Sequence, residues 1–319
     1  MSESAGRHIP VMLDEVVAAL APRDGEVYVD GTFGAGGYTR AFLEAADCTV
    51  IAIDRDPAAR ARAEKMREEF GSRLIFVYGC FGDALELVRA AGFERVDGFV
   101  LDIGVSSFQI DEALRGFSFA KDGPLDMRMD TDSAGPTAAD IVNGYEEGAL
   151  ADLLYQLGDE RHSRRIARRI VQARAEKKIE TTLELADLIR SVVHQSPKEK
   201  TDPATRSFQA LRIAVNDELG ELERGLTAAQ DLLAQGGRLV VVSFHSLEDG
   251  IVKSFLYERS GRIPGGSRHL PPMPSGIASP LFTLEQRKAL APTEAESKAN
   301  PRSRSAKLRW AIRTAEGGA

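Results

Sequence analysis

Short apolar runs and helical patterns alternate over the first hundred residues of the chain. Strands are predicted at 27–30, 49–53, 74–78 and 96–102, with helices at 37–46, 57–70 and 82–91 between them. Such alternation is typical of an α/β fold with a parallel sheet, in which ligands bind beyond the carboxyl ends of the strands. Because Asp30, Asp54 and Asp102 each end an apolar run, we expect the three carboxylates to lie along one edge of the sheet.

A glycine-rich turn that starts at Asp30 follows the first predicted strand, with the sequence Asp-Gly-Thr-Phe-Gly-Ala-Gly-Gly. Gly34, Gly36 and Gly37 allow the backbone to turn tightly and to approach a ligand closely. The turn lacks the third glycine of the dinucleotide pattern Gly-x-Gly-x-x-Gly. The carboxylates of Asp30 and Asp54 instead suit the ammonium and ribose hydroxyls of S-adenosylmethionine. The alternatives are an ordinary turn without a ligand and, more distantly, a nicotinamide site.

The alternation stops near residue 106. From there to 205 the pattern predicts turns followed by helices at 149–156, 161–175 and 182–193, with no buried strand. A helix at 205–233 and strands at 238–244 and 307–312 complete the pattern. The late strands favour a helical insertion within one sheet over two domains in series, because they would otherwise have no sheet to join. The predicted domains are 1–108 and 209–319, which form the sheet, and 109–208, which forms the insertion. The segment 260–305 is predicted to be irregular.

The composition is that of an ordinary globular protein, with 43% hydrophobic residues, 28% charged residues and a net charge of −7. This charge argues against a globally basic nucleic-acid binder but allows local basic patches. No apolar run approaches the roughly 20 residues that span a bilayer, and no signal-peptide pattern is present. We therefore expect a cytoplasmic protein without a membrane partner. Cys48 and Cys80 are expected to be buried free thiols, and no metal site is predicted.

Two groups of basic residues stand out in this acidic chain. The helix predicted at 161–175 carries Arg161, Arg164, Arg165, Arg168 and Arg169 on about half of its circumference. The C-terminal group comprises Lys298, Arg302, Arg304, Lys307, Arg309 and Arg313. A solvated face and a phosphate-binding face explain the arginine helix equally well. Together the two groups favour RNA or DNA as a polyanionic substrate. Trp310 is either a core residue or a stacking residue.

The chain also carries a series of longer motifs between His8 and Arg313. They are Asp30-Gly-Thr-Phe-Gly-Ala-Gly-Gly, Ala52-Ile-Asp-Arg-Asp, Leu101-Asp-Ile-Gly-Val-Ser-Ser, Arg115-Gly-Phe-Ser-Phe, Gly123-Pro-Leu-Asp-Met-Arg-Met-Asp, Thr205-Arg-Ser-Phe-Gln-Ala-Leu-Arg-Ile-Ala-Val-Asn, Ser243-Phe-His-Ser-Leu-Glu-Asp and Asn300-Pro-Arg-Ser-Arg-Ser-Ala-Lys-Leu-Arg. In these motifs the chain resembles the bacterial RsmH (MraW) family of 16S rRNA cytosine-N4 methyltransferases. The resemblance implies a Rossmann-like, class I S-adenosylmethionine-dependent methyltransferase sheet with an inserted all-helical domain.

The resemblance further implies S-adenosylmethionine as methyl donor. It implies as acceptor the exocyclic N4 amine of a single cytosine in the decoding region of 16S rRNA, presented by the small ribosomal subunit. Two competing functions are a methyltransferase of small molecules or proteins, and a non-catalytic assembly factor that binds ribosomal RNA. The apolar helix predicted at 11–20 is either a homodimer surface or a cover for the sheet.

The family's cofactor contacts can be transferred by position to this chain. They fall on Gly36, Gly37, Tyr38, Asp54, Phe81, Asp102 and Gln109. The resemblance implies that Asp54 binds the ribose and that Phe81 lies near the adenine, although a core aromatic is the alternative for Phe81. Tyr38 stands where histidine is common, which favours a backbone contact there. Phe108 stands where proline is common.

Three residues are candidates for catalysis at the target amine. Asp102 and Asp126 are candidate proton acceptors, with His245 nearby. The sequence after Asp102 lacks the Pro-Pro-aromatic motif of many amino-methylating enzymes. Asp126 could instead pair with Arg128 and order its loop, and His245 could be a buried structural histidine. For RNA binding the candidates are the five arginines of the predicted helix, together with Arg302 and Arg304.

Overall fold

A computed structural model of the chain describes residues 10–193, 201–261 and 280–314. They form two compact units. The sheet unit combines the chain up to Gly104 with the chain from Leu219 onward, and the helical unit is Val105–Glu218. The boundaries predicted from the sequence lie at 108/109 and 208/209. Among the described residues, no helix is both long enough and apolar enough to cross a membrane.

The sheet unit contains seven strands within the described part of the chain. They are β1 (Val27–Asp30), β2 (Thr49–Asp54), β3 (Leu74–Tyr78), β4 (Val96–Asp102), β5 (Leu233–Ser243), β6 (Phe282–Thr283) and β7 (Lys307–Arg313). Their order in the sheet is β3-β2-β1-β4-β5-β7-β6. Strands β1 to β5 run parallel, whereas β7 lies antiparallel between β5 and β6. The predicted parallel sheet is therefore confirmed.

Helices cover both faces of this sheet and form the second unit. In chain order they are α1 (Leu13–Leu20), α2 (Gly37–Ala45), α3 (Pro57–Phe70), α4 (Ala84–Ala90), α5 (Ser107–Asp111), α6 (Ala138–Gly144), α7 (Glu147–Gly158), α8 (Ser163–Glu176), α9 (Thr182–Val192), α10 (Thr205–Asn216), α11 (Glu218–Leu232), α12 (Ser246–Arg259) and α13 (Glu294–Ala299). Alternate residues of one strand enter opposite cores: Val50 and Ala52 pack with α1, α2 and α3, whereas Ile51 and Ile53 pack with α4, α11 and α12. Burial on both faces explains why the central strands are continuous apolar runs.

Helix α1 packs its apolar residues inside the sheet unit. Val16 and Leu20 are buried in the core that also contains α2 and strand residues of β5. These apolar side chains therefore cover the sheet and are not exposed for a dimer contact. This arrangement favours the cover interpretation of α1, and the homodimer remains a prediction.

The helical unit has its own core, formed by residues at helical spacing. Leu150 and Leu154 of α7 pack with Ile166 and Ile170 of α8 and with residues of α6, α9 and α10. The side chain of Asn216, at the end of α10, binds the loop before α6. Its Oδ1 accepts a hydrogen bond from the Met129 amide at 2.8 Å, and its Nδ2 donates one to the Met127 carbonyl at 2.8 Å. This pair of bonds fixes the loop that carries the Pro-Leu-Asp-Met-Arg-Met motif.

Several predicted elements differ from the structure. The helix predicted at 205–233 is two helices, because Asp217 adopts a left-handed conformation with φ of 48° between α10 and α11. Arg161 precedes α8, which begins at Ser163. Cys48 is buried as expected, but Cys80 is only partly buried. Of the segment predicted to be irregular, 262–279 lies outside the described residues, and the remainder contains β6, α13 and a 3-10 turn at Pro301–Ser305.

Candidate active site

The turn after β1 depends on glycine for both conformation and space. Gly34 and Gly36 have φ of 53° and 78°, in the left-handed region that L-residues avoid. A β-carbon at Gly36 would lie 2.8 Å from the buried ring of Phe33 and 2.5 Å from Met66. The Arg62 Nε donates to the Gly34 carbonyl at 2.8 Å and holds the turn against α3. The backbone is therefore brought to the carboxyl edge of the sheet without side chains in the way.

The side chain of Asp30 stabilises this turn through hydrogen bonds. Its carboxylate is fully buried and accepts hydrogen bonds from the Thr39 hydroxyl at 2.7 Å and the Thr32 amide at 3.1 Å. Burial raises the pKa of the Asp30 carboxyl to about 6, although the bonds from Thr39 and Thr32 oppose the shift. Asp30 thus joins the turn to α2 and has no exposed surface for a ligand.

Asp54 ends β2 beside the same turn. Its Oδ2 accepts a hydrogen bond from the Gly34 amide at 2.7 Å, and its Oδ1 accepts one from the Asp56 amide at 2.8 Å. Burial raises the pKa of the carboxyl, and the two amide bonds counteract this. Each carboxylate oxygen has a further lone pair. The aligned carboxylate can therefore accept bonds from the two hydroxyls of a ribose.

Tyr38 uses its side chain within the core. The ring is buried and stacks on Phe42 at 6.3 Å between centroids, and its hydroxyl donates to the Val11 carbonyl. The first-turn N–H groups of α2, which begins at Gly37, have no acceptor within the helix. Only backbone groups of Tyr38 are thus available to a ligand.

Phe81 lies directly after β3 and is partly buried against the core that contains α11. A β-carbon at Gly225 of α11 would come within 2.5 Å of the Phe81 ring, so the ring packs closely against that glycine. The next residue, Gly82, donates its amide to the Glu221 Oε2 at 2.9 Å. Both contacts anchor Phe81 at the carboxyl edge of the sheet while leaving part of its ring exposed.

Asp102 ends β4, the strand adjacent to β1. Its amide donates to the Thr32 hydroxyl at 2.7 Å. Its Oδ1 is buried and has no hydrogen-bond partner among the described residues. Burial, followed by the negative charges of Asp30 and Glu248, holds the pKa of the Asp102 carboxyl well above its ordinary value. A buried acceptor without a donor is costly, so this atom is suited to a ligand that brings an N–H or O–H group.

His245 caps the start of α12, and its side chain is 11% exposed. Its Nε2 lies 2.9 Å from the Oε1 of Glu248, which is fully buried. The Glu248 Oε2 accepts the amides of Phe244 at 2.8 Å and His245 at 3.2 Å. The arrangement favours the structural interpretation of His245, in which the imidazole and Glu248 order the segment that follows β5.

Two site candidates belong to the helical unit. Asp126 forms a bidentate pair with Arg128, with Nε to Oδ1 at 2.9 Å and Nη2 to Oδ2 at 2.8 Å. Burial alone would raise the pKa of Asp126, but the bonds from Arg128 lower it overall. This favours the loop-ordering interpretation. Gln109 is buried, and its Oε1 accepts the Ser106 amide at 3.0 Å to close the first turn of α5.

The two basic groups differ in their exposure. On α8, Arg164, Arg165 and Arg168 are exposed and Arg169 is partly buried, while Arg161 is exposed in the turn before the helix. Arg168 also lies 3.6 Å from the Glu147 carboxylate. In the C-terminal group, Lys298, Arg302 and Arg304 are exposed.

Three of the six cations in the C-terminal group make contacts within the sheet unit. Asp249 of α12 accepts from the Arg309 Nε at 2.7 Å and from the Lys307 Nζ at 3.0 Å. The side chain of Arg313 is buried over the ring of Phe282. All three cations belong to β7. Lys307 and Arg309 attach this strand to α12, and Arg313 attaches it to β6.

Sequence reasoning missed Thr32, Thr39 and Asp249 as organising residues. The Thr32 hydroxyl accepts the Asp102 amide, and the Thr39 hydroxyl donates to the Asp30 carboxylate. Asp249 pairs with Lys307 and Arg309, two cations of the C-terminal basic group. A signal for Asp249 existed in the sequence, because an acid in the first turn of a helix after a strand is well placed to meet the neighbouring antiparallel strand.

Strand order and site together define a class of enzyme. An antiparallel β7 between β5 and β6, a glycine turn after β1 and a carboxylate at the end of β2 are the features of a class I S-adenosylmethionine-dependent methyltransferase. Residues 5–314 match the model of the MraW methylase family, and the chain belongs to this family. S-adenosylmethionine is its cofactor.

Relatives of known description extend over nearly the whole chain. The ribosomal RNA small subunit methyltransferase H of Hyphomonas neptunium is 59% identical over 307 residues, which cover 96% of this chain and 89% of that protein. The protein of the same description from Rhodospirillum centenum is 61% identical, with 96% and 92% covered. Among solved structures, an rRNA methylase from Streptococcus thermophilus covers 95% of this chain and 93% of its own, at 12% identity and a TM-score of 0.40.

Proposed function

We propose that this chain transfers a methyl group from S-adenosylmethionine to the exocyclic N4 amine of one cytosine in the decoding region of 16S rRNA, within the small ribosomal subunit. Relatives that are 59–61% identical and cover 96% of the chain are described as small-subunit rRNA methyltransferases. The main support for an amine as acceptor is the Oδ1 of Asp102 at the carboxyl edge of the sheet. This atom is buried and accepts no hydrogen bond from a described residue. We also propose that the enzyme acts in the cytoplasm.

The cofactor is proposed to bind along the carboxyl edge of the sheet. The backbone of Gly36, Gly37 and Tyr38 would line its amino-acid part, and Asp54 would accept bonds from the ribose hydroxyls. Phe81 would contact the adenine. When bound, S-adenosylmethionine supplies a methyl group that its sulfonium already activates for transfer. The chain therefore contributes mainly by positioning the two reactants.

Gln109 is also proposed as a cofactor contact. It belongs to the helical unit, where its side chain already accepts the Ser106 amide. The proposal for Gln109 rests on its position, which matches a cofactor contact of the family that the chain resembles.

Asp102 is proposed to orient the target amine and to receive its proton. The lone pair of an exocyclic amine is delocalised into the base, so an acceptor that holds an N–H group must align the nitrogen with the methyl. A carboxylate whose pKa is raised by burial is a better base than one whose pKa is lowered. This difference favours Asp102 over Asp126, which is occupied by Arg128. His245 is proposed to position the segment after β5 through Glu248.

The target cytosine is proposed to leave its stack to reach this edge of the sheet, since a stacked base cannot present its amine to a buried carboxylate. Arginine side chains would hold the surrounding phosphates. The proposed RNA contacts are Arg161, Arg164, Arg165, Arg168, Arg169, Arg302 and Arg304. A methyltransferase of small molecules would show no salt dependence of substrate affinity, which separates the two functions.

The experiment is methyl transfer from labelled S-adenosylmethionine to small subunits that lack the modification, with free 16S rRNA in parallel and identification of the product nucleoside. Label recovered as N4-methylcytidine supports the proposal. Absence of transfer to either RNA, despite measurable cofactor binding, would refute the rRNA substrate. Transfer to another atom or base would refute the proposed acceptor.

The role of Asp102 is tested with D102N at saturating cofactor. We expect turnover to fall about 10²- to 10⁴-fold, the range for loss of a general base. D126N is compared alongside, and D152N, at an exposed carboxylate of α7, serves as the matched control. Normal turnover of D102N with weaker cofactor binding would assign Asp102 to cofactor binding alone, and a larger loss in D126N would transfer the base to Asp126.

A further inference from the structure

A cleft lies at the outer edge of β7. Strand β6 pairs with β7 only at Arg313 and Ile312, so the chain after β6 leaves the edge of β7 and meets it again at Leu290. The cleft occupies the gap between this segment and α12. Its polar and aromatic lining comprises Lys253, Tyr257, Arg287, Lys288, Arg309 and Trp310.

The cleft has an excess of positive charge. Lys253, Arg287 and Lys288 are exposed, and none of them forms an ion pair with a described residue. Arg309, in contrast, is neutralised by Asp249 at 2.7 Å. Three uncompensated cations around one small cleft repel one another, which is unusual in a chain with a net charge of −7.

Two aromatic rings accompany these cations. Tyr257 lies one helical turn after Lys253 on the same face of α12, and the ammonium lies 5.7 Å from the ring centroid. Trp310 is partly buried, and its indole Nε1 donates to the Glu285 carboxylate at 2.8 Å. That bond fixes the orientation of the indole ring while the ring lines the cleft.

We propose that this cleft binds a single-stranded segment of RNA, with one base stacked against Trp310 and the flanking phosphates held by Lys253, Arg287 and Lys288. Aromatic faces within a basic groove are the combination by which proteins bind single strands, since every base has a face that can stack. A duplex offers phosphates but keeps its bases stacked on one another. This inference rests on the proposed rRNA substrate and adds a second contact to it.

The chain offers a direct reporter, because Trp310 is its only tryptophan. Stacking of a base on an indole quenches its fluorescence, so emission reports occupancy of this cleft without depending on methyl transfer. The probe is a single-stranded oligoribonucleotide of mixed sequence, titrated into the full chain. A blunt RNA duplex of equal charge is titrated in parallel. We expect saturable quenching by the single strand and little quenching by the duplex.

The cleft variant combines K253A, R287A and K288A. The matched control combines K65A, R67A and R89A, which remove the same charge from exposed positions on α3 and α4. We expect quenching by the single strand to weaken at least about fivefold in the cleft variant but not in the control. If all three cations contact phosphates, the slope of log affinity against log salt should fall by about 2, at 0.7 for each contact.

Equal quenching curves for the cleft variant and the control would overturn the inference, as would equal quenching by duplex and single strand. RNA binding detected by filter retention without any change in emission would place the RNA elsewhere and also overturn it. The proposed function is measured separately, as N4-methylcytidine formed by the wild-type chain. Methylation with no quenching refutes only the cleft, whereas quenching with no methylation refutes only the proposed reaction.

Discussion

Replacing Gly36 by alanine should destabilise the sheet unit by two separate effects. Its φ of 78° costs an L-residue about 1–2 kcal/mol. The new β-carbon would also lie 2.8 Å from two atoms of the Phe33 ring. Phe33 is 2% exposed and packs edge-on against Phe76 at 5.6 Å, so its ring has little room to move. Overpacking of this kind costs about 1–3 kcal/mol, and the total is about 2–5 kcal/mol.

Gly34→Ala is the matched control for the packing effect. Gly34 also has a positive φ, of 53°, but its added β-carbon would meet nothing closer than the Thr32 carbonyl oxygen at 3.7 Å. Only the conformational cost of about 1–2 kcal/mol applies there. The difference between the two variants therefore isolates the clash with Phe33 and with Met66, which would lie 2.5 Å from the new β-carbon.

The assay is urea unfolding without cofactor, followed by the emission of Trp310, which belongs to the sheet unit. We expect the midpoint of Gly36→Ala to lie below that of Gly34→Ala by an amount equivalent to about 1–3 kcal/mol. Equal midpoints would show that the side chains of Phe33 and Met66 move aside freely, and the argument that this turn requires glycine for space would be refuted.

Asp249→Asn should cost about 1–3 kcal/mol at pH 7, because it weakens the charge-assisted bonds from Arg309. Burial would raise the pKa of the Asp249 carboxyl, but the bond from Arg309 lowers it overall. The cost of the substitution should therefore shrink only in acid, where the wild-type carboxyl becomes protonated. A cost that does not change with pH in urea unfolding would contradict this. Asp30 has a raised pKa of about 6, so wild-type stability should fall as the pH rises from about 4 to 6. Relative to Asp30→Asn, the free energy of unfolding of the wild type should fall by about 3 kcal/mol over this pH range. A difference between the two proteins that does not change with pH would refute the raised pKa of Asp30. Asn216→Ala should cost about 2 kcal/mol or more and speed hydrogen exchange of the Met129 amide, whereas unchanged exchange would show another support for that loop.

The central sheet could be predicted from the sequence because its strands are buried on both faces. β1, β3 and β4 begin and end where the apolar runs do. β6 was missed because its two residues are too few to show a period and because its partner β7 lies far along the chain. The break at Asp217 was missed because no glycine or proline marks it, although aspartate is one of the few residues that tolerate a left-handed conformation.

The location of the candidate site was predictable, whereas the state of each carboxylate was not. Asp30 and Asp102 both end apolar strands and look equivalent in the sequence. In the structure Asp30 is saturated by Thr39 and Thr32, while the Oδ1 of Asp102 has no described partner. The difference arises because α2 follows β1 directly and places Thr39 over Asp30. Such a contact depends on the packing of a helix on a strand, which a linear pattern does not contain.

The position of β7 has a consequence for the order in which the chain can fold. The helical unit is continuous in sequence, from Val105 to Glu218, so it can form from residues that are synthesised together. The sheet unit, in contrast, must retain its first half until β7 arrives to cover the edge of β5. The bond from the Met12 amide to Glu296 joins residues 284 positions apart. Such distant contacts form slowly, and until β7 pairs with it the edge of β5 is open to pairing with other chains.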